Sequence, residues 1–371
     1  MSKDQSEVKS SSTRIADKHA FFMGLLLGVP IAYPEVPFYL LSFFCFGSCF
    51  IYVRREISQS VLVLVLLCMA VALLSSLFGS SRYDIDFLRV LTTTGYFLFF
   101  LFGCFIINKH DLLRGYLLSC LIISVSVIIL FFLSGVAQKG LLIFLVPEFR
   151  LWGENYFPDW PNFLAFFLSV SFLLNVFVFK RSFQGFLSIV AALLTTSRTP
   201  IVAILLYVLF QILGRNQNGL KRFSLAVAIL LLSVFLSMYF FQMNPELLER
   251  LVFAEDRVVV YGFALDMFLK SPIIGHGAIL FDSSVGLEKY ESFHNSYLDI
   301  LVRHGILGFA FFILLIIPVF GVKMNGLKEF FPILLFFLIA SLFQNFFKHP
   351  HLIMLYSVII YAQNKLNKKR R

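Results

Sequence analysis

The sequence predicts an all-α, polytopic integral membrane protein of about twelve transmembrane helices, and three observations predict it. Of 371 residues, 59% are hydrophobic and only 14% are charged, whereas a soluble globule carries roughly a quarter charged residues. Mean hydropathy is +0.86, so most of the exterior has to face lipid, since so few polar groups cannot cover a folded surface in water. The apolar residues form continuous runs and do not alternate, which selects helices over a closed barrel. A soluble enzyme, a secreted disulfide scaffold, a disordered chain and a nucleic-acid module are excluded together.

In chain order, residues 1–18 are Ser-rich with mixed charge and read as a cytoplasmic tail. No cleavable signal peptide is read before the first span. Twelve apolar runs follow, at 20–32, 38–53, 61–79, 87–107, 116–134, 163–179, 186–196, 201–213, 223–241, 306–320, 331–346 and 352–362. The first, seventh, eighth and twelfth fall short of the about 20 residues a full crossing needs. Nine of these helices lie in 19–241, a large outer loop occupies 242–303, three helices lie in 304–363, and a basic tail ends the chain at 364–371. Pro318 and Pro332 are expected at a kink or a helix end. Cys45, Cys49, Cys68, Cys104 and Cys120 all lie inside apolar runs and read as small hydrophobes.

Charge sets the orientation. Arg54 and Arg55, Lys180 and Arg181, Lys221 and Arg222, and the terminal basic run all fall on the side of the N-terminus, which the positive-inside rule makes cytoplasmic. The net charge of +10 therefore follows membrane topology, and no nucleic-acid partner is implied. The polar chemistry of the outer side is concentrated in 242–303 and in a second loop at 135–161. Trp152, Tyr156 and Trp160 in the latter read either as interfacial anchors or as platforms for sugar rings.

Three places carry candidate chemistry. Thr195-Thr196-Ser197-Arg198-Thr199-Pro200 joins two short spans, which leaves Arg198 near the outer boundary, where it snorkels to lipid phosphate or meets an anion. The hydroxyls around it, Ser197 included, suit an oxygen-rich ligand. In the large loop, residues 256–270 show helical spacing of apolar residues and stop at Ser271-Pro272, before the turn Gly275-His276-Gly277. Arg257 stands at the start of that helix, where the dipole disfavours a cation, so it requires a partner, either a loop acid such as Glu255 or Asp256, or a ligand. Asp266 and Lys270 form an i,i+4 pair on the solvated side.

The third is His294-Asn295-Ser296-Tyr297 leading into Asp299, Arg303, His304 and Gly305-Ile306-Leu307-Gly308. Tyr297, Leu298, Leu301 and Val302 share a helical face, with Asp299 and Arg303 paired on the other. The positive pole of this helix disfavours the imidazolium of His294, so its ring is expected below the ordinary pKa of about 6.5 and neutral at pH 7, able to accept a proton. His276 and His304 compete for that role from weaker positions. Arg89 either pairs with Asp86 or touches a donor phosphate. No Asp-x-Asp or His–Cys cluster suggests a metal, and no cofactor is implied.

His294-Asn295, nine residues, then Gly305-Ile306-Leu307-Gly308 resembles the signature of bacterial O-antigen ligases, in the O-antigen ligase and polymerase superfamily. Ser197-Arg198 at the short-helix hairpin and the Arg257 helix leading to Lys-Ser-Pro are similar to that family's other landmarks, and Thr199 departs from the small residue often found there. The resemblance implies a GT-C-like membrane glycosyltransferase in a Gram-negative inner membrane with a periplasmic site. It implies an undecaprenyl-diphosphate glycan as donor and lipid A-core as acceptor, both entering from the membrane lipids. In that chemistry His294 is the general base, Arg198 and Arg257 hold the diphosphate, and Ser197, Asn295 and Tyr297 bind substrate. A polymerase extending undecaprenyl-linked repeat units uses a similar site. A lipid-linked sugar flippase, the rival of another class, requires charges deep within the spans, and these are few.

Overall fold

The computed structural model describes residues 18–27, 59–79, 90, 97–104, 108–133, 161–195, 197, 199–214, 255–278, 293, 295–316, 330–342, 344 and 352–360. Every regular element among the described residues is a helix. We label the principal ones α1 (Gln59–Gly79), α2 (Lys109–Leu133), α3 (Pro161–Leu173, widening into a π-helical turn at Leu174–Phe179), α4 (Ser182–Leu194), α5 (Thr199–Gly214), α6 (Glu255–Lys270), α7 (Ser296–Ile316) and α8 (Phe331–Ala340). Shorter helical pieces occupy 18–27, 97–104 and 352–360.

Among the described residues, three helices are long and apolar enough to cross a membrane: Val61–Phe78, Lys109–Leu133 and Ser296–Ile316. Shorter apolar helices include Asn162–Val178, Ser182–Leu194, Thr199–Gln211 and Phe331–Ala340. The expected spans at 38–53 and 223–241 lie outside the described residues, as do most of 87–107 and all of the loop at 135–161 but its last residue. The outside of α1 shows why this is not a water-soluble bundle. Val61, Val65, Cys68 and Ala72 are buried, yet Val63, Leu66, Leu73, Leu74 and Leu77 stand exposed on the other side. A helix apolar all round belongs in lipid.

Close packing in the bundle uses small residues, as membrane helices do. Gly24 and Gly115 cross, and a Cβ on either would overlap the other segment's backbone at Leu112 or Phe21. Tyr116 reaches from α2 to donate to the carbonyl of Phe167 at 2.8 Å, because a phenol hydrogen in an apolar interior has to find an acceptor. Phe166 of α3 stacks on Phe336 and meets Phe337 of α8 edge-on, at 5.1 and 4.8 Å between centroids. Tyr356 closes this core by bonding the Ile316 carbonyl at 2.7 Å. Cys68 and Cys120 are free thiols within it, and Cys104 packs against it. Pro332 sits in the first turn of α8, where its missing N–H costs no helical bond.

One boundary differs from the sequence reading. The span expected from residue 306 begins at Ser296, because the helix at the end of the outer loop and the span are one helix with a break at Gly305. Hydropathy places the start where the apolar run begins, whereas the helix starts where a cap satisfies its first N–H groups.

Candidate functional site

The turn between α4 and α5 is built from hydroxyls. Thr195 Oγ1 donates to the Ala192 carbonyl at 2.7 Å, which closes α4. Ser197 Oγ donates to Asn162 Oδ1 at 2.8 Å, and it accepts the N–H of Thr199 at 3.3 Å where α5 starts. Thr195 and Ser197 are buried, while Asn162, in the first turn of α3, is exposed. Asn162 was not read from the sequence. The signal it carried was a polar residue directly after Pro161, where a membrane helix begins. Arg198, Arg89 and His294 lie outside the described residues, and for Arg257 only the backbone is described.

α6 forms over the expected residues, with Arg257 in its first turn. Val260, Ala264 and Met267 pack against Phe293, Leu298 and Val302. The chain then turns through Gly275 at φ 81° and Gly277 at φ 77°, conformations open to glycine at little cost. Between them His276 is buried, its Nε2–H donating to the Met267 carbonyl at 2.6 Å. Asp266 and Lys270 are both exposed, and no ion pair joins them among the described residues.

The break in α7 explains the Gly305-Ile306-Leu307-Gly308 spacing. Gly305 stands at φ 63°, ψ −170°, so Ile306 and Leu307 cannot reach the carbonyls of Val302 and Arg303 four residues back. Those carbonyls accept instead from His276 N–H at 3.0 Å and Gly277 N–H at 2.7 Å, while the Ile306 and Leu307 N–H groups donate to the carbonyls of Pro272 at 2.8 Å and Ile273 at 3.2 Å. Four cross-bonds replace two helical ones, so no group freed by the break stays unsatisfied. A Cβ on Gly305 would overlap the Ile273 carbonyl, and one on Gly277 would overlap Ser76 of α1. Ser76 Oγ accepts the Ala278 N–H at 3.2 Å, and His304 Nδ1 and Ser75 Oγ are hydrogen-bonded at 3.0 Å. The glycine turn is thus wedged between α1 and α7.

At its start α7 is capped by Asn295, whose Oδ1 accepts the N–H groups of Tyr297 and Leu298 at 2.9 and 3.1 Å. Ser296 N–H donates to the Ser341 carbonyl at 2.9 Å and Tyr297 O–H to the Leu338 carbonyl at 2.9 Å, which fixes the helix start on the end of α8. Asp299 and Arg303 pair at 3.0 Å, as expected from their spacing, but both are buried.

The two polar regions share one end of the bundle. α5 and α8 run antiparallel, since Phe210 near the end of α5 meets Phe331 at the start of α8, 5.8 Å between centroids. α3 and α5 run parallel, with Phe172 on Tyr207 at 5.3 Å and Asn162 on Ser197 at their beginnings. The start of α5, with the Ser197 turn that precedes it, therefore lies toward the end of α8 on which Ser296 is held.

These helices, apolar inside and out, define a helical membrane protein. The family model described as O-Antigen ligase matches residues 183–313, from α4 through the Ser197 turn, α6 and the glycine turn into α7. Over that stretch, about a third of its length, the chain is similar to the O-antigen ligase family. No curated protein matches the chain.

Proposed function

We propose that the protein is an O-antigen ligase, a membrane glycosyltransferase that moves an undecaprenyl-diphosphate-linked glycan onto lipid A-core. The observation that carries this reading is the O-antigen ligase match across 183–313, the segment that holds Arg198, Arg257 and His294. The site faces the periplasm of a Gram-negative inner membrane, on the side opposite the basic loops.

In this reading His294 takes the proton of the acceptor hydroxyl as its oxygen attacks the anomeric carbon. The bond from that carbon to the diphosphate oxygen breaks, undecaprenyl diphosphate leaves with the electron pair, and direct displacement inverts the anomeric centre. The leaving diphosphate gathers negative charge, which the guanidinium groups of Arg198 and Arg257 offset with paired N–H donors. Ser197, Asn295 and Tyr297 bind substrate. The Asn295 Oδ1 is committed to the helix cap, so its Nδ2–H donors are the groups it offers. Arg89 and His276 are secondary candidates. Transfer proceeds without a metal.

Support comes from how the turns are held. Catalysis by fixed cations depends on positions set before the reaction, and the turns next to Arg198 and His294 are pinned to a second helix, by Ser197 on Asn162 and by Ser296 on Ser341. The test is purified protein with undecaprenyl-diphosphate glycan and rough lipopolysaccharide. A ligase yields glycan-capped lipid A-core. Elongated undecaprenyl-linked glycan with no capping would identify a polymerase, and neither product would exclude both.

A further inference from the structure

α6 has three edges of different character. One is buried against α7 through Val260, Ala264 and Met267. A second consists of Leu265, Leu269 and, just past the helix end, Ile273, exposed to 54, 64 and 67%. The third holds Asp266 and Lys270, both exposed. At about 100° per residue, Leu265 and Leu269 project within about 40° of each other, and Lys270 lies about 100° beyond Leu269. The apolar edge and the charged edge are thus adjacent but distinct.

The apolar edge does not stop at α6. The Ile273 carbonyl is bonded to Leu307 N–H and the Pro272 carbonyl to Ile306 N–H, which sets Ile273 beside Ile306 and Leu307, themselves exposed. From Ile306 an exposed stripe continues through Ala310 to Leu314, along a helix long and apolar enough to cross a membrane. As a membrane span that helix turns its exposed side to lipid, and the Leu265-Leu269-Ile273 line prolongs that side without interruption.

We propose that α6 is a membrane-surface helix. Its apolar edge rests in the acyl-chain boundary of the leaflet that α7 enters, and its charged edge lies at headgroup level. The occupant of the exposed face is lipid, not a second copy or another protein, because the face is continuous with the lipid-facing stripe of α7 and bordered by a lysine able to reach lipid phosphate. This converts part of the loop expected to be solvated into a membrane-bound element. Taken with the proposed function, on which this one clause rests, it sets the helix that carries Arg257 at the depth of a lipid-linked diphosphate.

The test uses the full chain in vesicles of phosphatidylethanolamine and phosphatidylglycerol, with one nitroxide attached at Leu265→Cys, Leu269→Cys, Ile273→Cys or Asp266→Cys after replacement of the five native cysteines. Leu314→Cys serves as the lipid-facing reference. Collisions with oxygen, which concentrates in lipid, are expected to exceed those with a water-soluble nickel chelate at 265, 269 and 273, and the order is expected to reverse at 266. Nickel accessibility at 269 equal to that at 266 would overturn the proposal, as would a label shielded from both reagents, which marks a protein partner. If the cysteine-free chain does not fold, Leu269→Trp with the native cysteines retained and with Trp152→Phe and Trp160→Phe reports the same depth through quenching by brominated phospholipid, and unquenched emission there overturns it. Neither readout involves a substrate. Transfer lost in Arg257→Ala beside water-exposed labels would sink this inference alone, and lipid-exposed labels beside undiminished transfer would sink the proposed function alone.

Discussion

The N–H of Leu307 donates to the carbonyl of Ile273 at 3.2 Å, in place of the bond it would make to Arg303 in an unbroken helix. The glycine turn after α6 and the break in α7 are therefore one structure, and each depends on the backbone freedom of the other.

Gly305→Ala is expected to act through that joint. The residue stands at φ 63° and its Cβ would overlap the Ile273 carbonyl, so a loss of about 1–3 kcal/mol is expected. Thermal unfolding in detergent measures it. Gly275→Ala, whose Cβ would meet the Arg303 backbone at 2.5 Å, lowers stability in the same way. Because both disturb one contact, the double variant is expected to lose less than the sum of the two. Strict additivity would mean that the turn and the break are independent.

The helices themselves were largely legible, because continuous apolar runs and flanking polar residues are local features. The position of Pro332 near a helix end and the Asp299–Arg303 pairing followed from spacing along one helix, whereas the capping of α7 by Asn295 did not. The break at Gly305 was not legible. Four residues in helical spacing look the same in sequence whether or not a turn from elsewhere takes over their hydrogen bonds. The burial of Asp299 and Arg303 was hidden for the same reason, since the sequence does not show what packs against a polar face. Asn162 escaped notice because its partner Ser197 is 35 residues away.

Asn162 and Ser197 hold the turn next to Arg198. Asn162→Ala and Ser197→Ala are each expected to cost about 1 kcal/mol and to lower transfer by about tenfold, since small displacements of a charged group weaken catalysis steeply. Asn162→Asp keeps an acceptor for the Ser197 hydroxyl and is expected to retain the unfolding temperature. A Ser197→Ala variant with wild-type stability and transfer would remove the bond from the account.

Asp299 and Arg303 form a buried pair with side chains 9 and 6% exposed. Removing one partner leaves an uncompensated charge, so Arg303→Met or Asp299→Leu alone is expected to lose about 3–5 kcal/mol. The double variant Asp299→Leu with Arg303→Met is expected to recover much of that loss. Equal destabilisation in single and double variants, measured by unfolding in detergent, would show that the pairing is not what matters.

His276 and His294 are separated by the same measurements. The His276 ring is bonded to the Met267 carbonyl inside the fold, so His276→Ala is expected to lower the unfolding temperature, with a cost of about 1–3 kcal/mol for the carbonyl left without its donor. His294→Ala is expected to leave stability unchanged. A His276→Ala protein of full stability and no transfer would assign the proton-accepting role to His276.

The most direct measurement is transfer itself, with purified chain, undecaprenyl-diphosphate glycan and lipid A-core. The wild-type chain is expected to yield glycan-capped lipid A-core. His294→Ala and Arg257→Ala are each expected to fall by about 100-fold or more at an unchanged unfolding temperature. Undiminished transfer in both variants would contradict the assignment of the base and of the diphosphate-binding cation.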